Sequence, residues 1–244
     1  METFDVRGDE LTGRTVIVID SASGFDQLQS AAGKPAFVDV ERGPVARPTA
    51  AIWAGEQINS GALCTLGFGV IKAGIKYTTT AAHSPCNIAD TYQYGGTLPT
   101  QFSQFGGSSD LSIRNTGANL ATNRVYDGST ARSITATRSR SAMSVGNFVC
   151  HYGRTTGYGC GYVDSTTIAP GYIPGATATY IKVSGCPFSN SLGDLGDSGG
   201  PWFSSSTAWG WQSGASGPNS CGINDGIFMA ANYVSNQGAS ILTS

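Results

Sequence analysis

Charge is what this sequence has least of: only 12% of its 244 residues are Asp, Glu, Lys or Arg, against roughly 25% in an ordinary soluble domain. The formal net charge is -2. That balance gives no basic field for gathering phosphates, and so argues against a nucleic-acid partner. The local exception, Arg132, Arg138 and Arg140 in "ARSITATRSRSAM", reads as a solvated connection. Long apolar runs are missing as well. None approaches the 18 or so residues that span a bilayer, so a soluble chain with no membrane partner is expected. The opening "METFDVRGDELTGRTVIVID" lacks the basic and apolar halves of a signal peptide, and an export signal is therefore expected to be absent from this chain. Histidine occurs twice, and no two cysteines form a C-x-x-C pair. A zinc pattern is thus not present, and neither metal nor cofactor is expected.

Glycine, by contrast, is abundant at 34 residues, about twice its usual share of roughly 7%. Such a composition suits short strands joined by tight turns. The six cysteines, Cys64, Cys86, Cys150, Cys160, Cys186 and Cys221, are even in number and point to disulfides. Nearest-neighbour pairing, 64 with 86, 150 with 160 and 186 with 221, closes three loops of sensible size. Disulfides imply an oxidising, extracellular setting.

Along the chain, "TVIVID" (15–20) and "AFVDVERG" (36–43) read as strands around a short helix at 23–33, a small strand-helix-strand unit. "PVARPTA" follows as a linker, and a boundary is placed near residue 48. Beyond it, short apolar or alternating runs such as "ALCTLGFGVI", "DLSIRN", "ATYIKVSG" and "GIFMAANYV" are separated by Gly, Ser, Asn and Pro. That spacing predicts an all-β sandwich or barrel, with a terminal helix near "MAANYVSNQGASIL".

Chemistry concentrates in "GDLGDSGGP", residues 193–201. A serine hydroxyl needs a base, a group to orient that base, and donors for the oxyanion. Glycines around Ser198 permit a tight turn that aims the N–H groups of Gly196 and Ser198 at one point. The base must be His83 or His151. His83 ends a strand in "YTTTAAHSPC", a setting that suits a base and a structural histidine equally. Asp110, opening "DLSIRN", is the better-placed carboxylate, ahead of Asp90 and Asp127 in more polar settings.

The motifs "CTLGFGV", "TTAAHSPC", "SDLSI", "VCHYGRTTGYGC" and "GDSGGP" occur in the order seen in chymotrypsin-like serine proteases. Residues 50–244 resemble most nearly their secreted bacterial branch, the streptogrisins and α-lytic protease. The resemblance implies two six-stranded antiparallel Greek-key β-barrels, one at about 48–135 and one at about 140–235, with the active site between them and a short C-terminal helix. It implies a secreted, monomeric endopeptidase acting on protein or peptide substrates, with His83, Asp110 and Ser198 as the triad. Gly196 and Ser198 would supply the oxyanion donors. It supports the three disulfides, and makes residues 1–47 an extension or the remnant of a pro-region, as in a zymogen. The rival reading is a catalytically silent homologue that binds a protein partner through the cleft.

Three departures from the family pattern stand out. Cys86 comes three residues after His83 rather than immediately next, and "PFSNSLGDL" lengthens the approach to Ser198. Where the relatives carry an Arg that holds the buried Asp before the nucleophile, this chain has His151. Asp197 is therefore expected to pair either with His151 or with Arg154 or a backbone donor. For substrate binding, Ser213, Gly214 and Ala215 resemble one wall of the primary pocket, Gly226 another and Ser184 its floor. The small residues and the lack of an acid at that floor imply apolar or aromatic preference. Asp194 and Asp225 are the carboxylates that could alter it.

Overall fold

The computed structural model describes residues 4–9, 14–19, 38–42, 51–59, 63–117 and 119–243. The chain divides into two compact units, Met1–Thr49 and Ala50–Ser244. In the first, the strand Phe4–Asp9 pairs antiparallel with Arg14–Ile19, which pairs in parallel with Val38–Arg42. Two of these strands match the sequence reading. The first, "FDVRGD", was not expected, because its charges and glycine hide the alternation. The helix expected at 23–33 lies outside the described residues.

The second unit is mostly β. Its C-terminal half is a closed six-stranded antiparallel barrel. Around it run Thr207–Pro218, Pro201–Ser204, Phe148–Gly153, Gly157–Ile168, Tyr180–Ser184 and Asn224–Ala230, the last pairing back onto the first. Closure leaves no unpaired edge. Cys150 and Cys160 lie directly opposite each other on paired strands, so their disulfide staples one hairpin.

The second barrel expected in the N-terminal half is seen in part, its strands falling into three sheets. One runs Thr100–Gly106, Ser109–Arg114, Ile75–Thr80, Val70–Lys72 and Ser240–Ile241. Another joins Ala131–Ser133, Leu120–Tyr126 and Ala51–Ala54, and the third joins Leu63–Thr65, Gln57–Asn59 and Thr91–Tyr92. Short strands and a register shift between Ala121 and Val125 interrupt the ladder. The Cys64–Cys86 disulfide lies in a buried cluster with Ile58, Leu66 and Leu98, and the third bridge joins Cys186 to Cys221.

The expected C-terminal helix is a 3-10 helix at Ala231–Gln237, shorter than the reading because 224–230 stay in the barrel. Gly238, at φ 66°, ends it. The chain then returns to the N-terminal half through Ser240–Ile241. The arginine cluster is also not merely solvated. Arg140 donates to the carbonyls of Thr166, Ala178 and Thr179, and Arg138 lies 4.6 Å over the Trp209 ring.

One apolar core crosses both halves, from Phe68, Val70 and Leu111 to Phe203, Trp211 and Met229. Trp211 is its anchor. The indole is fully buried, donates from Nε1 to Thr79 Oγ1 at 2.8 Å, and meets Phe68 edge-on at 5.7 Å. A Cβ at Gly67 would lie 2.2 Å from the indole, which is why "LGFG" carries glycine there. Trp211→Ala should therefore remove about 3–5 kcal/mol of stability, read as a lower urea midpoint. Trp211→Phe should cost less, since Thr79 Oγ1 also donates to Phe68 O.

Candidate active site

The site lies where the two halves meet. The strand Ile75–Thr80 runs on through two buried alanines to His83. Beside it the strand Ser109–Arg114 is buried along its whole length and carries Asp110 near its start. The two Ala side chains leave room for the carboxylate to reach the backbone. Asp110 Oδ1 accepts the N–H groups of Ala82 and His83, both at 2.9 Å. Oδ2 lies 2.7 Å from His83 Nδ1, and His83 Nε2 lies 2.9 Å from Ser198 Oγ. The carboxylate is fully buried, whereas the imidazole is 15% exposed. Holding Nδ1–H on Asp110 leaves Nε2 as an acceptor for the Ser198 hydroxyl proton, the tautomer that nucleophilic attack requires.

Ser198 sits in a turn that glycine makes possible. Gly196 has φ 103° and Gly199 φ 87°, a region costly for other residues. At Gly199 a Cβ would also lie 2.4 Å from Thr80 Oγ1 and 2.6 Å from Ala81 N. The turn that holds Ser198 therefore touches the strand leading to His83 directly. In a planar trans peptide the N–H points opposite the preceding C=O. Leu195 O accepts from Thr155 Oγ1 at 2.6 Å, and Asp197 O accepts from Gly200 N at 2.9 Å. Those bonds aim the N–H groups of Gly196 and Ser198 away from their anchors. Among the described residues neither N–H has a protein acceptor.

Asp197 is fully buried and saturated. Oδ1 accepts from Thr155 N and Thr156 N at 2.8 and 3.2 Å; Oδ2 accepts from Thr156 Oγ1 and Asp194 N at 2.7 and 3.0 Å. Of the partners expected for Asp197, backbone donors are the ones found, and the His151 pairing is not formed. His151 is fully buried, stacks on Trp202 at 4.9 Å, and among the described residues neither ring nitrogen has a hydrogen-bond partner. Arg154 does not pair with Asp197 either: its guanidinium donates to Asn59 Oδ1 at 2.7 Å. Four donors from a turn and a hydroxyl stabilise the carboxylate without a cation. Burial pushes the His151 pKa well below 6.5, with Asp197 opposing that shift.

A cleft of about 670 Å³ opens beside His83 and Ser198. Ser213, Gly214, Ala215 and Asp194 are among the residues that line it. Ser184 and Gly226 do not. Ser184 is paired with Tyr162 on the neighbouring strand, and Gly226 faces Trp202 and Leu192, where a Cβ would lie 2.4 Å from the indole. Asp225 is also no pocket charge, being buried and bound to Asn219 and to Lys182, the latter at 3.0 Å. Sequence reasoning missed Tyr172 and Asn224. Tyr172 stands 6.4 Å from the His83 ring and beneath Gly214, and Asn224 Nδ2 donates to Gly193 O at 3.0 Å. The only local hint of Tyr172 was an aromatic inside a Pro-Gly turn, "APGYIPG".

No family model matches the chain. Among curated proteins, it is 33% identical over 214 residues to Streptogrisin-A of Streptomyces griseus, covering 84% of this chain and 67% of that one. It is 36% identical over 177 residues to Serine protease 2 of Streptomyces fradiae, covering 68% of this chain and 95% of that one. The chain spans only 35% of Streptogrisin-C, also from Streptomyces griseus, at 30% identity over 68% of its own length. Of solved structures, Thermobifida fusca Protease A aligns with 25% identity and a TM-score of 0.63, over 80% of this chain and 100% of that one. Nocardiopsis protease gives 25% and 0.64 over the same shares.

His151 makes stability depend on pH. Its folded pKa lies below its unfolded value, so just below pH 6.5 the unfolded chain binds the extra proton and the folded chain does not. This contribution is constant above that range and is lost as pH falls through it. Relative to His151→Phe, the wild type should lose stability on acidification below pH 6.5 by up to about 1.4 kcal/mol per pH unit. Urea unfolding across the acid range measures the difference; parallel profiles would exclude the effect.

Proposed function

Because the chain belongs to the bacterial chymotrypsin-like serine proteases, we propose that it hydrolyses peptide bonds through an acyl-enzyme on Ser198. The observation that carries this reading is the continuous chain Asp110–His83–Ser198, with steps of 2.7 and 2.9 Å. His83 takes the hydroxyl proton as Ser198 attacks the scissile carbonyl, then gives it to the leaving amine. Asp110 keeps the imidazole in the required tautomer and stabilises its protonated form. The Gly196 and Ser198 N–H groups receive the oxyanion. Water, deprotonated by the same imidazole, then releases the acyl group.

The acceptor cleft favours apolar or aromatic side chains: its walls at Ser213, Gly214 and Ala215 are small, and Asp225, one candidate for a selecting charge, is engaged elsewhere. Three disulfides support an extracellular site of action. The separate compact unit at 1–49 supports residues 1–47 as a pro-region remnant and 48–244 as the protease domain. Mass spectrometry of secreted protein checks that point, with a mature N-terminus near residue 51 expected and one before residue 40 overturning it.

Ser198→Ala should abolish turnover of a peptide library and labelling by a fluorophosphonate, with the fold intact. Asp110→Asn should lower kcat roughly 10⁴-fold, because the amide favours the wrong tautomer of His83. Absence of labelling on folded wild type would turn the reading to a homologue that only binds.

A further inference from the structure

A second cavity, of about 290 Å³, shares no lining residue with the cleft at Ser198. Its walls include four aromatic side chains, Trp53, Tyr94, Tyr126 and Tyr152, and one carboxylate, Glu56. The rings are braced. Tyr126 meets Tyr152 edge-on at 5.0 Å and ties its hydroxyl to Gly128 O at 2.9 Å, while Tyr94 meets Tyr92 edge-on at 5.5 Å.

Glu56 is only 8% exposed. Its Oε2 accepts the Trp53 N–H at 2.8 Å and the Tyr92 hydroxyl at 2.6 Å. Among the described residues, Oε1 accepts no hydrogen bond and no Lys, Arg or His forms an ion pair with the carboxylate. Glu56 itself lines the cavity. Arg124, the cation seen against this group of side chains, lies 6.0 Å over the Trp53 ring. A buried carboxylate lacking a counter-charge is costly, and burial raises the Glu56 pKa. Asp110 and Asp197 avoid that condition through backbone donors; Glu56 has only two donors, on one oxygen.

Ring faces are the negative part of an aromatic side chain, and several such faces beside a carboxylate attract a compact organic cation. The volume lies at the lower end of ligand pockets, and so suits one small headgroup or one side chain. We propose that this cavity binds an alkylammonium group, with Glu56 Oε1 supplying the counter-charge and Trp53, Tyr94, Tyr126 and Tyr152 the surrounding aromatic wall. A neutral sugar would also stack on these rings, but it would leave the Glu56 charge unpaired. The site is independent of the hydrolytic machinery, and its test does not depend on turnover.

Isothermal titration of the full chain with choline chloride, and separately with Nα-acetyl-lysine methylamide, tests the proposal. At least one should bind saturably, and more tightly by roughly ten-fold than the uncharged choline isostere 3,3-dimethylbutan-1-ol. Binding of choline alone would identify a quaternary ammonium ligand. Binding of the lysine derivative alone would identify a side chain of a protein partner. Glu56→Gln should weaken binding roughly ten-fold. Should that variant fail to fold, Tyr94→Ala carries the test: Tyr94 is 70% exposed, and its removal should weaken binding roughly three-fold while peptide hydrolysis is unchanged. Saturable binding of neither cation, equal binding of the neutral isostere, or preferential binding of glucose overturns the proposal.

Discussion

The arrangement depends on the hydrogen bonds of Thr65. This residue ends a strand of the N-terminal half, yet its N–H donates to Ser198 O at 3.0 Å and its hydroxyl to Gly196 O at 2.8 Å. The same hydroxyl accepts from Arg154 N at 3.0 Å, and its carbonyl accepts from Thr80 Oγ1 at 2.8 Å. Each such bond contributes only about 1 kcal/mol net to stability. Their importance is geometric. They join the strand leading to His83, the turn holding Ser198 and the turn holding Asp197. The histidine-to-serine distance is thereby set across two halves that share a core but no continuous sheet. Packing enforces the same approach, since Gly199 and Gly67 are places where a side chain would push the halves apart.

The second constraint is the burial of negative charge in a chain with few positive charges. Asp110 and Asp197 are both fully buried. Asp197 is neutralised by three backbone N–H groups and one hydroxyl, Asp110 by two N–H groups and the imidazole. Preorganised donors of this kind cost no rearrangement when the carboxylate is needed. They also explain how position 151 can hold a neutral, stacked histidine: with Asp197 already saturated, no cation is required there, and an aromatic that fills space against Trp202 suffices.

How much was legible in the sequence follows from how local each signal is. His83, Asp110 and Ser198 stand in short motifs whose neighbours, alanines on one side and glycines on the other, announce the backbone geometry. The three cysteine pairs were readable from loop size. For Asp197 a backbone donor was one of the alternatives, but which donors was not legible, because Thr155, Thr156 and Asp194 contribute N–H groups that any sequence possesses. Ser184 and Gly226 were misplaced because the longer approach to Ser198 interposes Leu192, whose carbonyl would lie 2.6 Å from a Cβ at Gly226. Tyr172 reaches the cleft from a loop between two strands of the closed barrel, and no periodicity marks such an arrival. The ladders of the N-terminal barrel were harder to read for a related reason: alternation identifies strands, but their pairing is decided by register, and short strands with glycine between them leave it weakly specified.

The scarcity of charge noted at the outset thus has a structural counterpart. At Asp110 and Asp197, where a Lys or Arg would serve, the chain uses turn N–H groups, a hydroxyl and an imidazole, and these act at short range with defined direction. Such contacts are little affected by salt, unlike exposed ion pairs. The same economy leaves Glu56 distinct. Its carboxylate has aromatic neighbours and two donors on one oxygen, but no cation of this chain pairs with it among the described residues. In a structure that otherwise satisfies its buried carboxylates from within, the unmatched one is where a positively charged molecule from outside would complete the pattern.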